Sequence, residues 1–189
     1  MKSLITAAVV AASLAAAPAW AADFQPAPNA DYVLDLDTPD DSFSLWRQSD
    51  LSGISAARAQ VTFRRVGRKK AFSPGASIIL ANDQSEARLS FVVAPKGAVA
   101  ILIASRGETK LGSELFVMPV EPGETFGLEL DWTPEGKVVV RMATRAVKTL
   151  GGDGFERHEI TMAGAPTRME IVGVAAEIEL KPLTLGSVR

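Results

Sequence analysis

The sequence predicts an all-β fold, an antiparallel β-sandwich. Three observations lead there. Short runs carry apolar residues at every second position, turn signals built on Gly, Pro, Asn and Asp separate them, and no long segment keeps a 3.6-residue apolar period. Many short strands joined by such turns bury their apolar faces as sandwiches or barrels.

The first element is not part of that fold. Residues 1–21 read as a signal peptide: Lys2 is its positive start, Leu4 to Ala17 its apolar run, and Ala19-Trp20-Ala21 its small-x-small cleavage pattern. The apolar run is short of the about 20 residues a membrane span needs, so the expected product has no transmembrane segment and is periplasmic or secreted. Cleavage before Ala22 leaves 168 of the 189 residues, enough for one domain. Residues 22–30, ADFQPAPNA, read as a flexible lead-in, and 31–189 as a single sandwich domain.

Strands are expected near 31–36, 43–48, 58–66, 76–81, 87–94, 98–104, 113–119, 125–132, 137–146, 155–161, 168–173 and 176–185. Residues 51–57 make a helical turn at most. Breaks such as Ser73-Pro74-Gly75, Asn82-Asp83-Gln84 and Pro134-Glu135-Gly136 separate the runs. Leu89, Phe91 and Val93 share a face against Arg88, Ser90 and Val92; Val61 and Phe63 oppose Gln60, Thr62 and Arg64; Ile178 and Leu180 oppose Glu177 and Glu179. Residues 99–104 are apolar on both faces, as in a central strand or one that contacts something beyond its sheet.

The hairpin DWTPEGKVVVR can be read to the residue. In a three-residue loop Pro134 supplies φ near −65° and Gly136 the left-handed conformation of a G1 bulge. Trp132 then faces Val138, Leu130 faces Val140 and Leu128 faces Met142, all on one side. Glu129 faces Arg141 on the other side, as an exposed pair. A four-residue loop would mix the faces, so turn chemistry and burial favour the same register. Trp132 is thereby assigned to the core, its indole nitrogen seeking a partner.

Composition excludes several functions. With no cysteine there are no disulfides, thiolate nucleophiles or Cys-ligated metals. Removing Lys2 with the leader leaves 19 basic against 22 acidic side chains, which argues against nucleic acid as a partner. His158 is the only histidine and no G-x-S-x-G elbow accompanies it. Asp31, Asp35, Asp37, Asp40 and Asp41 lack the spacing of a calcium loop, and Gly151, Gly152 and Gly154 lack the ending of a phosphate-binding loop. No catalytic residue, metal or cofactor is therefore assigned.

The candidate ligand-binding residues are two aromatics and a basic run. Tyr32 and Trp46 lie in less regular segments, where a ring can stack on a sugar face. Arg64, Arg65, Arg68, Lys69 and Lys70 in FRRVGRKK make the densest positive patch, suited to the acidic groups of a glycan or an envelope protein. The segments FGLELDWTPEGKVVVRM and TRMEIVGVAAEIELKPLTL resemble those of the concanavalin-like lectin/glucanase and laminin-G-like jelly rolls. That resemblance implies a jelly roll whose last strand returns beside its first, placing Tyr32 to Leu36 next to Ile178 to Leu185. The E-x-D-x-x-E motif of the glucanase members is absent, so no active site is carried over. The functional expectation is an exported, non-catalytic binding module for a cell-envelope or extracellular glycan. A structural or protein-interaction module is one alternative. The other is a carbohydrate-active enzyme using a carboxylate pair, for which Glu170, Glu177 and Glu179 are the candidates.

Overall fold

The computed structural model describes residues 24–67, 73–94, 97–118, 122–143 and 156–188. Its strands are β1 (Phe24–Asp37), β2 (Phe43–Gln48), β3 (Ala56–Val66), β4 (Gly75–Ala81), β5 (Glu86–Ala94), β6 (Gly97–Arg106), β7 (Thr109–Met118), β8 (Thr125–Trp132), β9 (Lys137–Ala143), β10 (Glu156–Thr161), β11 (Arg168–Val174) and β12 (Ala176–Val188). They form two antiparallel six-stranded sheets, and the described residues contain no helix. Sheet A has the order β1-β12-β3-β8-β9-β10 and sheet B the order β2-β11-β4-β5-β6-β7. This is the predicted sandwich of jelly-roll type. Residues 144–146, expected to end the ninth strand, and the glycines at 151, 152 and 154 lie outside the described residues.

The two sheets meet through the apolar alternations. Val61, Phe63, Ile178 and Leu180 of sheet A are buried against Leu89, Phe91, Leu102 and Ile171 of sheet B. Phe63, Phe91 and Phe126 knit the layers together, with ring centroids 5.6 to 6.2 Å apart. Such pairs add about 0.5–1.5 kcal/mol each beyond the burial of their area. The last strand does return beside the first, with Leu34 opposite Leu180 and Tyr32 opposite Leu183.

The β8–β9 hairpin has the predicted register: Trp132 faces Val138, Leu130 faces Val140 and Leu128 faces Met142. The Gly136 amide donates to the Thr133 carbonyl at 3.0 Å, and Gly136 has φ +91°. Trp132 is 5% exposed, and its indole N–H donates to the Ile54 carbonyl at 3.1 Å.

Three expectations need correction. The lead-in is a strand over its greater part, because β1 begins at Phe24 and pairs Phe24 with Val188 and Pro26 with Gly186. Proline is compatible with this position because β1 is an edge strand. The segment from Leu51 makes the single turn allowed for it, closed by the Ile54 amide on the Leu51 carbonyl, but the strand expected at 58–66 begins earlier, at Ala56. The Glu129–Arg141 pair exists at 3.2 Å, but Glu129 is only 2% exposed. The reason is β3, which runs beside β8 and sets the buried Arg58 opposite Glu129. Arg58 reaches Asp131 at 2.7 Å and lies 3.6 Å from Glu129; Arg141 also pairs with Asp131, and the Phe24 ring sits 4.8 Å from the Arg58 guanidinium. Two arginines and two carboxylates thus form a network on the outer side of sheet A, with Arg58 and Glu129 buried and Asp131 and Arg141 half-buried.

Candidate functional site

The edge strands β1 and β2 lie on the same side of the sandwich and approach each other there. In β2 the alternation turns Ser44, Trp46 and Gln48 inward and leaves Phe43, Leu45 and Arg47 exposed. Tyr32 of β1 meets Trp46 across the gap in an edge-to-face contact, with centroids 5.2 Å apart. The two aromatics singled out in the sequence are therefore one cluster, half-buried against the core. The Tyr32 hydroxyl donates to the Gln48 side-chain carbonyl at 3.3 Å, and the Gln48 amide donates to the Asp50 backbone carbonyl at 2.9 Å.

Asp50 is part of a cleft of about 270 Å³ at the end of the sandwich to which β2 leads. Three connections build it: residues 50–55 between β2 and β3, Trp132 to Pro134 at the start of the hairpin, and Ala165 to Thr167 before β11. Backbone hydrogen bonds hold the three together. The Leu51 amide donates to the Thr167 carbonyl, the Trp132 amide to the Ser55 carbonyl, and the Thr167 amide to the Ala81 carbonyl. Leu51, Ile54, Trp132 and Pro166 give the cleft an apolar floor; Asp50, Ser52, Thr133 and Thr167 give it polar groups. Asp50 accepts a hydrogen bond from the Ser52 amide at 2.8 Å. The Ser52 hydroxyl and then its amide hold the Asp50 carboxyl below its ordinary value, so it is an acceptor at neutral pH. Trp132 offers little more than an edge here, since it is almost wholly buried.

The basic run lies elsewhere. Arg64 binds Glu179 through Nη2 at 2.6 Å, and Arg65 binds Asp37 at 2.8 Å and the Thr38 carbonyl at 2.9 Å, with Asp40 at 3.5 Å. Both guanidinium groups are held above the ordinary arginine value, first by those hydrogen bonds and also by the neighbouring carboxylate charge. They sit toward the end of β3 away from the cleft, and acids of the same chain already occupy them. Arg68, Lys69 and Lys70 lie outside the described residues.

Of the carboxylates considered for catalysis, Glu177 lies opposite Asp37 and Arg65 in sheet A, and the other two are engaged by arginine. Glu170 contacts Arg47 at 2.9 Å and Arg168 at 3.4 Å, and Glu179 holds Arg64. His158 of β10 lies 3.3 Å from Glu114 of β7, on the side of the sandwich opposite the aromatic pair. Among the described residues no three His, Asp or Glu side chains come together as metal ligands. Sequence reasoning missed Gln48, Asp50 and the cleft. The Gln48-x-Asp50-x-Ser52 spacing could have suggested an Asx-type turn, but not the two distant connections that complete the wall.

No family model matches the sequence, and no curated protein matches it. Solved structures do share the fold. A galectin from Caenorhabditis elegans superposes with a TM-score of 0.55 over 83% of this chain and 96% of its own, at 8% identity. A legume lectin-like domain from Entamoeba histolytica gives 0.53 over 82% of this chain and 84% of its own, also at 8% identity. A xylan β-1,4-xylosidase from Bacillus halodurans gives 0.55 at 12% identity, over 82% of this chain but only 33% of the enzyme. Lectin-like domains and part of a xylosidase thus share this sandwich, and at such identities the likeness is one of fold alone.

Proposed function

We propose that the chain is an exported, non-catalytic binding module, periplasmic or secreted, whose ligand is a neutral glycan taken into the end cleft. One observation carries this reading. Tyr32 and Trp46 touch, and a hydrogen-bonded path through Gln48 joins them to Asp50 in the cleft. The aromatic pair braces the end of β2 that leads into the cleft, where Leu51, Ile54 and Pro166 beside Asp50, Ser52 and Thr133 suit the mixed apolar and polar faces of a sugar. Asp50 is the charged group of the cleft, and it accepts hydrogen bonds; this favours hydroxyl donors over an acidic ligand. Arg64 and Arg65, expected to grip acidic groups, are already paired. A carbohydrate-active enzyme has less support, since Glu170 and Glu179 are each held by arginine. The lectin and lectin-like domains that share the fold are consistent with binding.

A glycan array followed by titration calorimetry on the best neutral oligosaccharide tests the proposal. Asp50→Ala removes a charge-assisted hydrogen bond to the sugar and is expected to weaken binding about tenfold or more. Trp46→Ala is expected to have an effect of the same order. An array without hits, or affinities indifferent to both substitutions, overturns the assignment.

A further inference from the structure

The outer faces of the two sheets differ in chemistry. Sheet A presents charge outward, including Asp35, Glu179, Arg64 and Arg141. Sheet B does not. Its strand registers set Leu45, Val172, Ser77, Ser90, Ile101 and Leu115 in one row across all six strands. Beside it, Phe43, Val174, Gly75 and Val92 form a second row. The third holds Ile79 and Ile103 among Arg47, Glu170, Arg88 and Ser113. Phe43 is 69% exposed, Leu45 47% and Leu115 68%. A face with exposed apolar side chains on both edge strands and two mutually bonded serines between them has the character of an interaction site.

We infer that two copies of this chain pair through the outer face of sheet B about a two-fold axis running along the strands. The first reason is charge. Identical faces can meet only if they do not repel, and the charged side chains of the third row are paired within the sheet. Arg47 holds Glu170 at 2.9 Å and Arg88 holds Glu86 at 3.1 Å, while the Ser77 and Ser90 hydroxyls bond each other at 2.9 Å. The second is composition. Homodimer interfaces are more apolar than transient ones, and the first two rows are mostly Val, Ile, Leu and Phe, interrupted by Ser77, Ser90 and Gly75. The third is area. Six strands about 4.8 Å apart and three residue rows give roughly 500 Å² in projection, and more as accessible surface. That approaches the about 800 Å² per partner of a stable interface.

The axis follows from where the exposed side chains lie. Leu45 on edge strand β2 and Leu115 on edge strand β7 occupy the two ends of one row. A two-fold along the strands lays β2 of one copy over β7 of the other, so each of these leucines meets the other kind. The row with Arg47 and Glu170 then stays at the margin in both copies. An axis across the strands would instead drive those charges onto Phe43 and Val174. Sheets packed this way lie about 10 Å apart with strands within about 30°, as they do inside a sandwich.

Sedimentation velocity of the protein, from micromolar concentration upward, is expected to give twice the chain mass. Leu45→Glu alone and Leu115→Arg alone place a charge in the interface, weaken the dimer about thirty-fold or more, and leave the circular dichroism of the fold unchanged. Mixing the two variants is expected to restore the dimer, because the introduced glutamate then meets the introduced arginine on one side and the two native leucines meet on the other. A monomer at every concentration overturns the inference and leaves the face to a different partner. A dimer that survives both substitutions, or single losses that mixing does not rescue, overturns it equally.

Discussion

Gly136 and Gly53 both have positive φ, +91° and +72°, but their surroundings differ completely. A Cβ on Gly53 would meet nothing within 4 Å. On Gly136 it would collide with the Met162 and Gly164 carbonyl oxygens and lie 2.9 Å from the Gly164 amide nitrogen. These are backbone atoms, which no rotamer change can remove. The Gly136 carbonyl also accepts from the amide of Met162, a buried residue, at 2.9 Å. Gly53→Ala therefore costs only the left-handed strain, about 1–2 kcal/mol. Gly136→Ala adds displacement of the 162–164 segment and an unsatisfied buried amide of about 1–3 kcal/mol, for a total of about 3 kcal/mol or more.

Asparagine separates the two contributions, because it tolerates positive φ yet still carries a Cβ. Gly53→Asn is expected to be close to wild type in urea unfolding, whereas Gly136→Asn keeps most of the cost of Gly136→Ala. At about 2–4 °C per kcal/mol for a domain of this size, Gly136→Ala lowers Tm by about 6–12 °C and Gly53→Ala by only a few degrees. Equal effects of alanine at the two positions, or a wild-type-like Gly136→Asn, would refute the claim that the hairpin is locked against the connection between β10 and β11.

Two further perturbations test the Arg58 network and the cleft. Arg58→Met removes a cation that is 3% exposed and leaves Glu129 and Asp131 with Arg141 alone, which should cost about 3–5 kcal/mol in urea unfolding. Adding Glu129→Gln should recover much of that loss, and a double variant no more stable than Arg58→Met would contradict the reading of the pair as mutually dependent. The Asp50 carboxyl is held below its ordinary value in the folded protein, so its contribution to stability is complete above about pH 4 and fades as the pH falls through the folded value. Thermal melts of wild type and Asp50→Asn should accordingly differ at neutral pH and converge as the pH falls below the ordinary carboxylate range, and a gap that stays constant would show that Ser52 does not favour the ionised form.

What is legible in the sequence is what neighbouring residues decide. The faces of 87–92 and 177–180 follow from a period of two, and the β8–β9 register follows from Pro134 and Gly136, so both appear in the structure as expected. What is not legible depends on which strands lie side by side. Glu129 reads as exposed because its sequence neighbours alternate correctly, and only the adjacency of β3, far earlier in the chain, puts Arg58 against it. Phe24 to Ala30 reads as a loop because of Pro26 and Pro28, and only the edge position of β1 makes those residues compatible with a strand. Trp46 and Tyr32 stand out separately for their rings; the closeness of β1 and β2, which belong to different sheets, makes them one cluster.

The same logic ties the two surfaces of this molecule together. The apolar face of sheet B is the sum of six strands, none of which is exceptional alone; residues 99–104, apolar on both sides, carry the one local hint of it. A two-fold along the strands superimposes each row on the same row of the partner, so the Gln48 ends of the two β2 strands lie at the same end of the dimer, on opposite edges. Both clefts of a dimer then open at the same end, clear of the paired face. Two weak sites so arranged reach successive units of a repeating polymer at a high effective concentration, whereas sites at opposite ends could not share one chain segment. Pairing through sheet B and binding through the end cleft therefore do not compete for surface, and the first makes a weak version of the second sufficient for retention on a polymer.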